Sequence, residues 1–227
     1  MFQGFSNATV DFLWGIRFNN ERPWFEAHKA EYLSHLYQPM KDLSREVYDA
    51  FQAKYAVPGL CCKVSRIYRD ARRLHGRGPY KDHLWWSLER PGEEPFSTRP
   101  VFWFELTPDD WSYGLGYYAA TPLTMAKFRA RLDRDPRTFE ALVRPLEKQS
   151  VFALTGERYK RPKGEPASAR LAPWYNLKNF SLQSVHDLGE PLWSHDLVDL
   201  LLEGFGFLLP LYQYFASLDA DPAPAQG

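Results

Sequence analysis

Apolar residues recur along this chain first at helical spacing, then at alternate positions, then at helical spacing again. Ser6 or Asn7 can cap a first helix running to Phe18, on which Val10, Leu13 and Trp14 share a face. Asn19-Asn20 ends it, because Asn tolerates the left-handed conformation of a helix C-terminus. Pro23 opens a second helical stretch, in which Phe25, Leu33, Leu36, Met40, Leu43, Val47 and Phe51 fall three, four or eight residues apart. Pro39 should break or kink this run and Pro58-Gly59 should terminate it. The pattern then alternates. CCKVSRIYRD, HLWWSLER, RPVFWFELTPD and WSYGLGYYAA read as four strands, mostly antiparallel, the last two joined by a hairpin over Thr107–Asp110. Helices return at Pro122–Leu132 and Pro136–Lys148, with Thr121 and Asp135 as N-caps, each followed by Pro. Tyr159–Pro173 reads as a long loop. Ser194–Ser217 reads as a C-terminal helix interrupted at Gly204, Gly206 or Pro210, and ADPAPAQG as a disordered tail.

Strands segregated from helices predict an α+β fold. The expected architecture is an antiparallel sheet of about four strands in the middle of the chain, packed by N- and C-terminal helices, with the helices on one face. The expected organisation is a single domain over residues 1–219 and a tail over 220–227.

Composition narrows the class. Of 227 residues, 44% are hydrophobic and 16% aromatic, enough apolar mass to build a large core. Lys plus Arg and Asp plus Glu both number 28, and this neutral balance argues against a dedicated nucleic-acid protein, which normally carries net positive charge. The two cysteines, Cys61 and Cys62, are adjacent, a spacing unsuited to pairing with each other, and no Cys/His ligand spacing accompanies them. Reduced thiols and no structural zinc are expected. The N-terminal stretch lacks the basic and apolar regions of a signal peptide, and no apolar run is long enough to span a membrane. The expected address is the cytoplasm.

Positive charge gathers in RIYRDARRLHGRGPYKDH. Between Arg66 and Lys81 lie Arg69, Arg72, Arg73 and Arg77, with Asp70 as the only acid. The Arg fork donates two parallel hydrogen bonds to a carboxylate or phosphate, and Gly76 and Gly78 would let backbone N–H groups approach an oxyanion. On a regular strand Arg66 and Arg69 would project to opposite faces, so convergence requires the strand to end early or bulge. The competing reading is a solvated surface, its arginines paired with Asp70, Glu89 and Glu105. Lys160 and Lys163, with Arg161, form a second basic cluster. His83 flanks the basic loop, whereas His28 and His35 lack the three- or four-residue spacing of a metal pair. Of Trp85 and Trp86, one must face away from the core if both lie on a strand. The G-x-G of WSYGLGYY marks a bulge or a close backbone approach.

These motifs resemble the domain of unknown function 2461 family of bacteria and fungi. Its pattern R-I-x-R-D-x-R-F-S-x-x-K-x-P-Y-K is matched by Arg66, Ile67, Arg69, Asp70, Arg72, Pro79, Tyr80 and Lys81. Arg73 stands where the family has Phe, Leu74 where it has Ser, and Arg77 where it has Lys. FNNERPWF resembles its N-N-x-x-x-W-F element through Asn19, Asn20, Trp24 and Phe25, and GLGYYAATP and YKRPKG resemble two further elements. The resemblance implies one α+β domain and no particular activity. The residues then set the expectation. Arg66, Arg69, Arg72 and Lys81 hold a small phosphate- or carboxylate-bearing ligand, Tyr80 donates or stacks, and Asp70 orients an arginine. Arg77, His83, Lys160 and Lys163 support the site. No metal and no cofactor are implied. The alternatives are a protein-interaction module and, less favoured by the charge balance, a nucleic-acid binder.

Overall fold

The computed structural model describes residues 1–70, 72, 76–91 and 99–224. The N-terminal helices are α1 (Asn7–Phe18), α2 (Arg22–Ala27), the short α3 (Lys29–Glu31), a π-helical segment (Tyr32–Tyr37) and α4 (Gln38–Tyr55). Strands β1 (Cys61–Val64), β2 (Leu84–Glu89), β3 (Val101–Leu106) and β4 (Asp110–Gly116) follow. The chain continues through α5 (Pro122–Arg134), α6 (Pro136–Val143), β5 (Ala153–Thr155), α7 (Ala172–Tyr175), β6 (Ser181–Asp187) and α8 (Asp196–Ala216). The fold is α+β, with a six-stranded antiparallel sheet in the order β1-β2-β3-β4-β6-β5. β5 and β6 escape the hydrophobic pattern. β5 is only three residues long. On β6 the buried positions alternate as a strand requires, but one of them is Ser184. His186 follows in the same alternation and stacks on Trp111 with ring centroids 4.1 Å apart.

Helix boundaries follow local chemistry. Ser6 caps α1 in a capping box with Thr9, whose hydroxyl accepts from the Ser6 N–H at 3.1 Å. Asn19 ends α1, though not in the expected left-handed conformation. Its φ is −124°, and both its backbone N–H and its side-chain amide donate to the Gly15 carbonyl. Pro39 does not break the second run. It has no N–H to give the His35 carbonyl four residues back, and the Thr9 hydroxyl donates to that carbonyl at 2.6 Å instead. The π-helical segment immediately before Pro39 accommodates the altered hydrogen bonding. α4 ends at Tyr55, earlier than Pro58-Gly59, because Ala56 itself takes the left-handed conformation. Thr121 and Asp135 cap α5 and α6 as expected, accepting from the amides of Thr124 and Thr138. α8 runs uninterrupted through Gly204, Gly206 and Pro210. The burial of Leu201, Phe205, Leu208 and Leu211 outweighs the local propensity of those three residues.

The chain divides into two compact units: Met1–Leu88 with Trp103–Tyr113 and Val185–Gly206, and Glu89–Phe102 with Gly114–Ser184 and Phe207–Gly227. In the first, Trp86 stacks on Phe104 and meets Phe205 edge-on. Helical residues Leu13, Ile16, Leu36, Met40, Leu43 and Val47 are fully buried there. Its N-terminus is held by Glu46, which accepts from the Phe2 N–H at 2.9 Å and from His195 Nε2 at 2.6 Å. The second unit centres on Phe128, Phe139, Trp174, Phe180 and Phe215, in mutual edge and tilted contacts. Arg131 there donates to the carbonyls of Tyr214 and Ser217 and pairs with Asp221 at 2.7 Å. Of the expected tail, Ala220 closes a 3-10 turn, Asp221 is held by Arg131, and residues 225–227 lie outside the described residues. Within this unit a Cβ on Gly114 would lie 2.0 Å from the Leu182 carbonyl oxygen, so the G-x-G motif serves close backbone approach to β6.

The Glu46–His195 pair gives stability a pH signature. His195 is raised above its ordinary value, chiefly by its bond to Glu46, so its contribution is complete below the unfolded value of 6.5 and fades as pH rises through the folded one. Glu46 is lowered, chiefly by the same bond, so its contribution fades as pH falls from the unfolded value of 4.5 through the folded one. His195→Ala should therefore lower the melting temperature most between the unfolded values of 4.5 and 6.5 and progressively less as pH rises through the folded His195 value. The pair is solvent-screened, so the cost should stay under about 1 kcal/mol. Melting curves of both proteins from acid to alkaline pH measure this, and a difference independent of pH would contradict it.

Candidate functional site

The basic stretch folds as an arm, not as a continuous strand. β1 ends at Val64, and the chain then pairs with its own return through a single antiparallel bridge, Tyr68 to Tyr80. The Arg69 N–H donates to Pro79 O at 2.8 Å and the Lys81 N–H to Ile67 O at 2.7 Å. Extended backbone sends neighbouring side chains to opposite sides. Tyr80 accordingly turns into an aromatic cluster, stacked on Phe25 with centroids 4.3 Å apart and beside Tyr68. Burial raises its hydroxyl pKa, with Tyr68 and Glu26 adding to the effect and Arg22 opposing it. Lys81 turns the other way, its ammonium 5.6 Å from the centre of the Trp85 ring.

Asn20 fixes this arm from a distant part of the chain. Its side chain accepts from the Tyr80 N–H and donates to the Tyr80 carbonyl, each at 2.9 Å. Gly78 packs so tightly that a Cβ there would lie 2.2 Å from Asn20 Oδ1.

A linked set of half-buried charges surrounds Lys81. Arg69 Nε donates to Tyr80 O at 2.7 Å and its terminal nitrogen stands 3.4 Å from Asp82 Oδ1. Asp82 Oδ2 accepts from Arg17 Nε at 2.7 Å, and Arg17 also reaches Asp109 at 2.7 Å. His83 Nδ1 lies 3.3 Å from Asp82 Oδ1, and its Nε2 lies 3.7 Å from Glu105 Oε1. Burial alone would push Asp82 up, but hydrogen bonds from Arg17, its own backbone amide and His83 hold it below the usual carboxylate range. Glu105 is raised by burial, with Asp110 and Asp82 adding to the effect and His83 and Lys81 opposing it. Burial, then Arg69 and Arg66, push the Lys81 ammonium down to about 8, against the pull of Glu105. Because Trp86 and Phe104 share one face of the sheet, alternation puts Trp85, Trp103 and Glu105 on the other. Trp85 is thus the partner that faces away from the core, and Trp86 is buried in it.

The residues expected at the site divide. Lys81, Arg69 and His83 come together, and Arg66 is exposed but near enough for its charge to act on Lys81. Arg72 is 88% exposed and bonded to Asp70 at 2.8 Å, an ion pair that faces solvent. Tyr80 serves the aromatic cluster, and Arg77 is exposed. Arg73, Leu74 and His75 lie outside the described residues. Lys160 and Lys163 belong to the second unit, where Lys163 lies 5.2 Å from the Tyr159 ring. Arg17, Asp82 and Glu105 were not singled out from sequence as members of a site. They come from α1, the segment before β2 and β3, and no local spacing links them. Elsewhere in the first unit a cleft of about 330 Å³ is lined by Asp11, Trp24, His28, Glu31 and His35. Among the described residues no group of three His, Cys, Asp or Glu side chains could hold a metal ion.

The sequence model of the family described as a conserved hypothetical protein (DUF2461) matches residues 8–214. The chain belongs to this family. In this DUF2461 chain two of the matched elements meet in space: Asn20 clamps the Tyr80 backbone and Phe25 stacks on the Tyr80 ring. Much of the motif therefore builds the arm, leaving Lys81 and the arginines displayed from it. No curated protein matches the sequence. Among the described residues, no helix is long and apolar enough to cross a membrane.

Proposed function

We propose that the protein binds a small phosphate- or carboxylate-bearing ligand at Lys81, with Arg66 and Arg69 beside it. One observation carries the reading. Lys81 is half-buried, yet among the described residues no carboxylate oxygen lies within 4.0 Å of its ammonium, and two arginines add to the positive potential there. A partly buried cation with no carboxylate in contact is costly, and an anion removes that cost. Arg69 is pre-oriented by Tyr80 O and Asp82, and Arg66 is exposed and available to a ligand's second oxygen.

Thermal unfolding against phosphate, sugar phosphates and dicarboxylates tests the proposal. A ligand at tenfold excess over its Kd should stabilise by about 1.4 kcal/mol, a rise of roughly 3–6 °C for a chain of this size. Lys81→Met keeps an unbranched side chain one atom shorter and removes its charge, and the shift should vanish. No shift with any anion would favour the second reading, a protein-binding surface. That reading draws on Tyr68, which is 50% exposed between Arg66 and Arg69 in sequence.

A further inference from the structure

We infer that Lys81 is a nucleophile that condenses with the carbonyl group of a small 2-oxo acid to form an imine. The inference rests on the anion reading of the same site and adds a substrate class to it.

The cluster supplies the parts such a step needs. The amine must be partly withdrawn from water and not neutralised by a carboxylate, as Lys81 is. The Trp85 ring forms one wall beside it, 5.6 Å from the nitrogen. A substrate carboxylate would lie against Arg69, whose positive charge, with that of exposed Arg66, also favours the neutral, nucleophilic form of the amine. Glu105 and Asp82 are the acidic groups facing this region, and His83 bridges them. Asp82 is held ionised by Arg17, whereas half-buried Glu105 keeps its proton to higher pH. The two carboxyl groups are thus driven apart in acidity, the arrangement that assigns one to orient His83 and the other to donate.

The chemistry balances without an added oxidant or reductant. The Nζ lone pair attacks the carbonyl carbon, a C–N bond forms, and the carbonyl π electrons move to oxygen. A proton passes from nitrogen to that oxygen through His83. The C–O bond then breaks, the hydroxyl leaves as water with a proton from Glu105, and the nitrogen lone pair closes the protonated imine. The positive charge remains on nitrogen beside the substrate carboxylate.

Borohydride trapping tests this with the intact protein. Pyruvate and sodium borohydride are added near pH 8, and adducts are mapped by peptide mass spectrometry. At that pH an ordinary lysine is well under about 1% neutral, whereas Lys81 is close to half neutral. Lys81 should be labelled roughly tenfold or more above the other lysines, with a pH profile centred near its own titration. Lys81→Arg should lose the adduct while keeping its circular dichroism spectrum and melting transition. Glu105→Gln should slow trapping. Even labelling of all lysines, or no label on Lys81, overturns the inference. If Lys81 is unlabelled while phosphate or pyruvate still raises the melting temperature, the imine is wrong and anion binding stands. If acetone, a ketone without a carboxylate, labels Lys81 as well as pyruvate does, the anion reading falls and the substrate class falls with it.

Discussion

Trp86→Ala should destabilise the protein by about 3–5 kcal/mol, whereas Trp85→Ala, one residue away, should cost about 1 kcal/mol. Trp86 is completely buried, stacked on Phe104 at 5.9 Å and edge-on to Phe205 at 5.8 Å. Truncation there removes a large apolar surface and leaves a cavity that a sheet and a helix cannot close without distortion. The neighbouring indole lies on the opposite face, only partly buried, with Lys81 beside it. For a chain of this size the first change should lower the melting temperature by roughly 10 °C and the second by only a few degrees. A third variant separates packing from hydrogen bonding. The Trp86 indole N–H is buried and has no partner among the described residues, so Trp86→Phe forfeits volume but no hydrogen bond. It should cost about 1–2 kcal/mol, well under the alanine value. Calorimetric melting of the three variants decides the matter. Equal losses for Trp85→Ala and Trp86→Ala would mean that the two faces of β2 are wrongly assigned.

The same pair of residues shows how far sequence reasoning reaches. That one of two adjacent tryptophans on a strand must leave the core follows from the two-residue period alone, and four of the strands announce themselves by alternation and turn residues. β6 does not, because Ser184 and His186 occupy alternate positions where an apolar residue would have signalled burial. The aromatic platform of Trp111 and Tyr113 accepts an imidazole there, at the cost of depressing its basicity by burial. α8 misleads in the other direction. Gly204, Gly206 and Pro210 are genuine breakers locally, and only the apolar burial along the helix overrides them. At the candidate site the charged residues were legible as a cluster, but their sorting was not. Tyr80 and Lys81 are neighbours in an extended arm and so cannot serve one pocket together. The acids that complete the set, Asp82 and Glu105, are joined to it by contacts such as Arg17 to Asp82, 65 positions apart in the chain, which no periodicity encodes.

Asn20→Ala should cost about 2–4 kcal/mol and should disturb Lys81 without touching it. The Asn20 side chain satisfies the Tyr80 N–H and shares the Tyr80 carbonyl with Arg69 Nε. Removing it strands a part-buried backbone donor, a loss of about 1–3 kcal/mol, and adds the weaker loss of one donor to a carbonyl that keeps its arginine. It also opens space beside Gly78, whose backbone lies in contact with that side chain. Asn20→Asp provides the discriminating comparison. It restores an acceptor for the Tyr80 N–H but no donor, so it should recover part of the stability. Hydrogen exchange at the Tyr80 amide should accelerate most in the alanine variant and less in the aspartate one. Because Lys81 follows Tyr80 directly, loosening this clamp frees the ammonium to move toward water and away from Trp85. Its titration should then drift back from about 8 toward that of an ordinary lysine. A fall in stability with no change at Lys81 would show that Asn20 supports the fold alone. A change in both would show that the element around Asn20 sets the chemistry of the arm by holding one peptide unit in place.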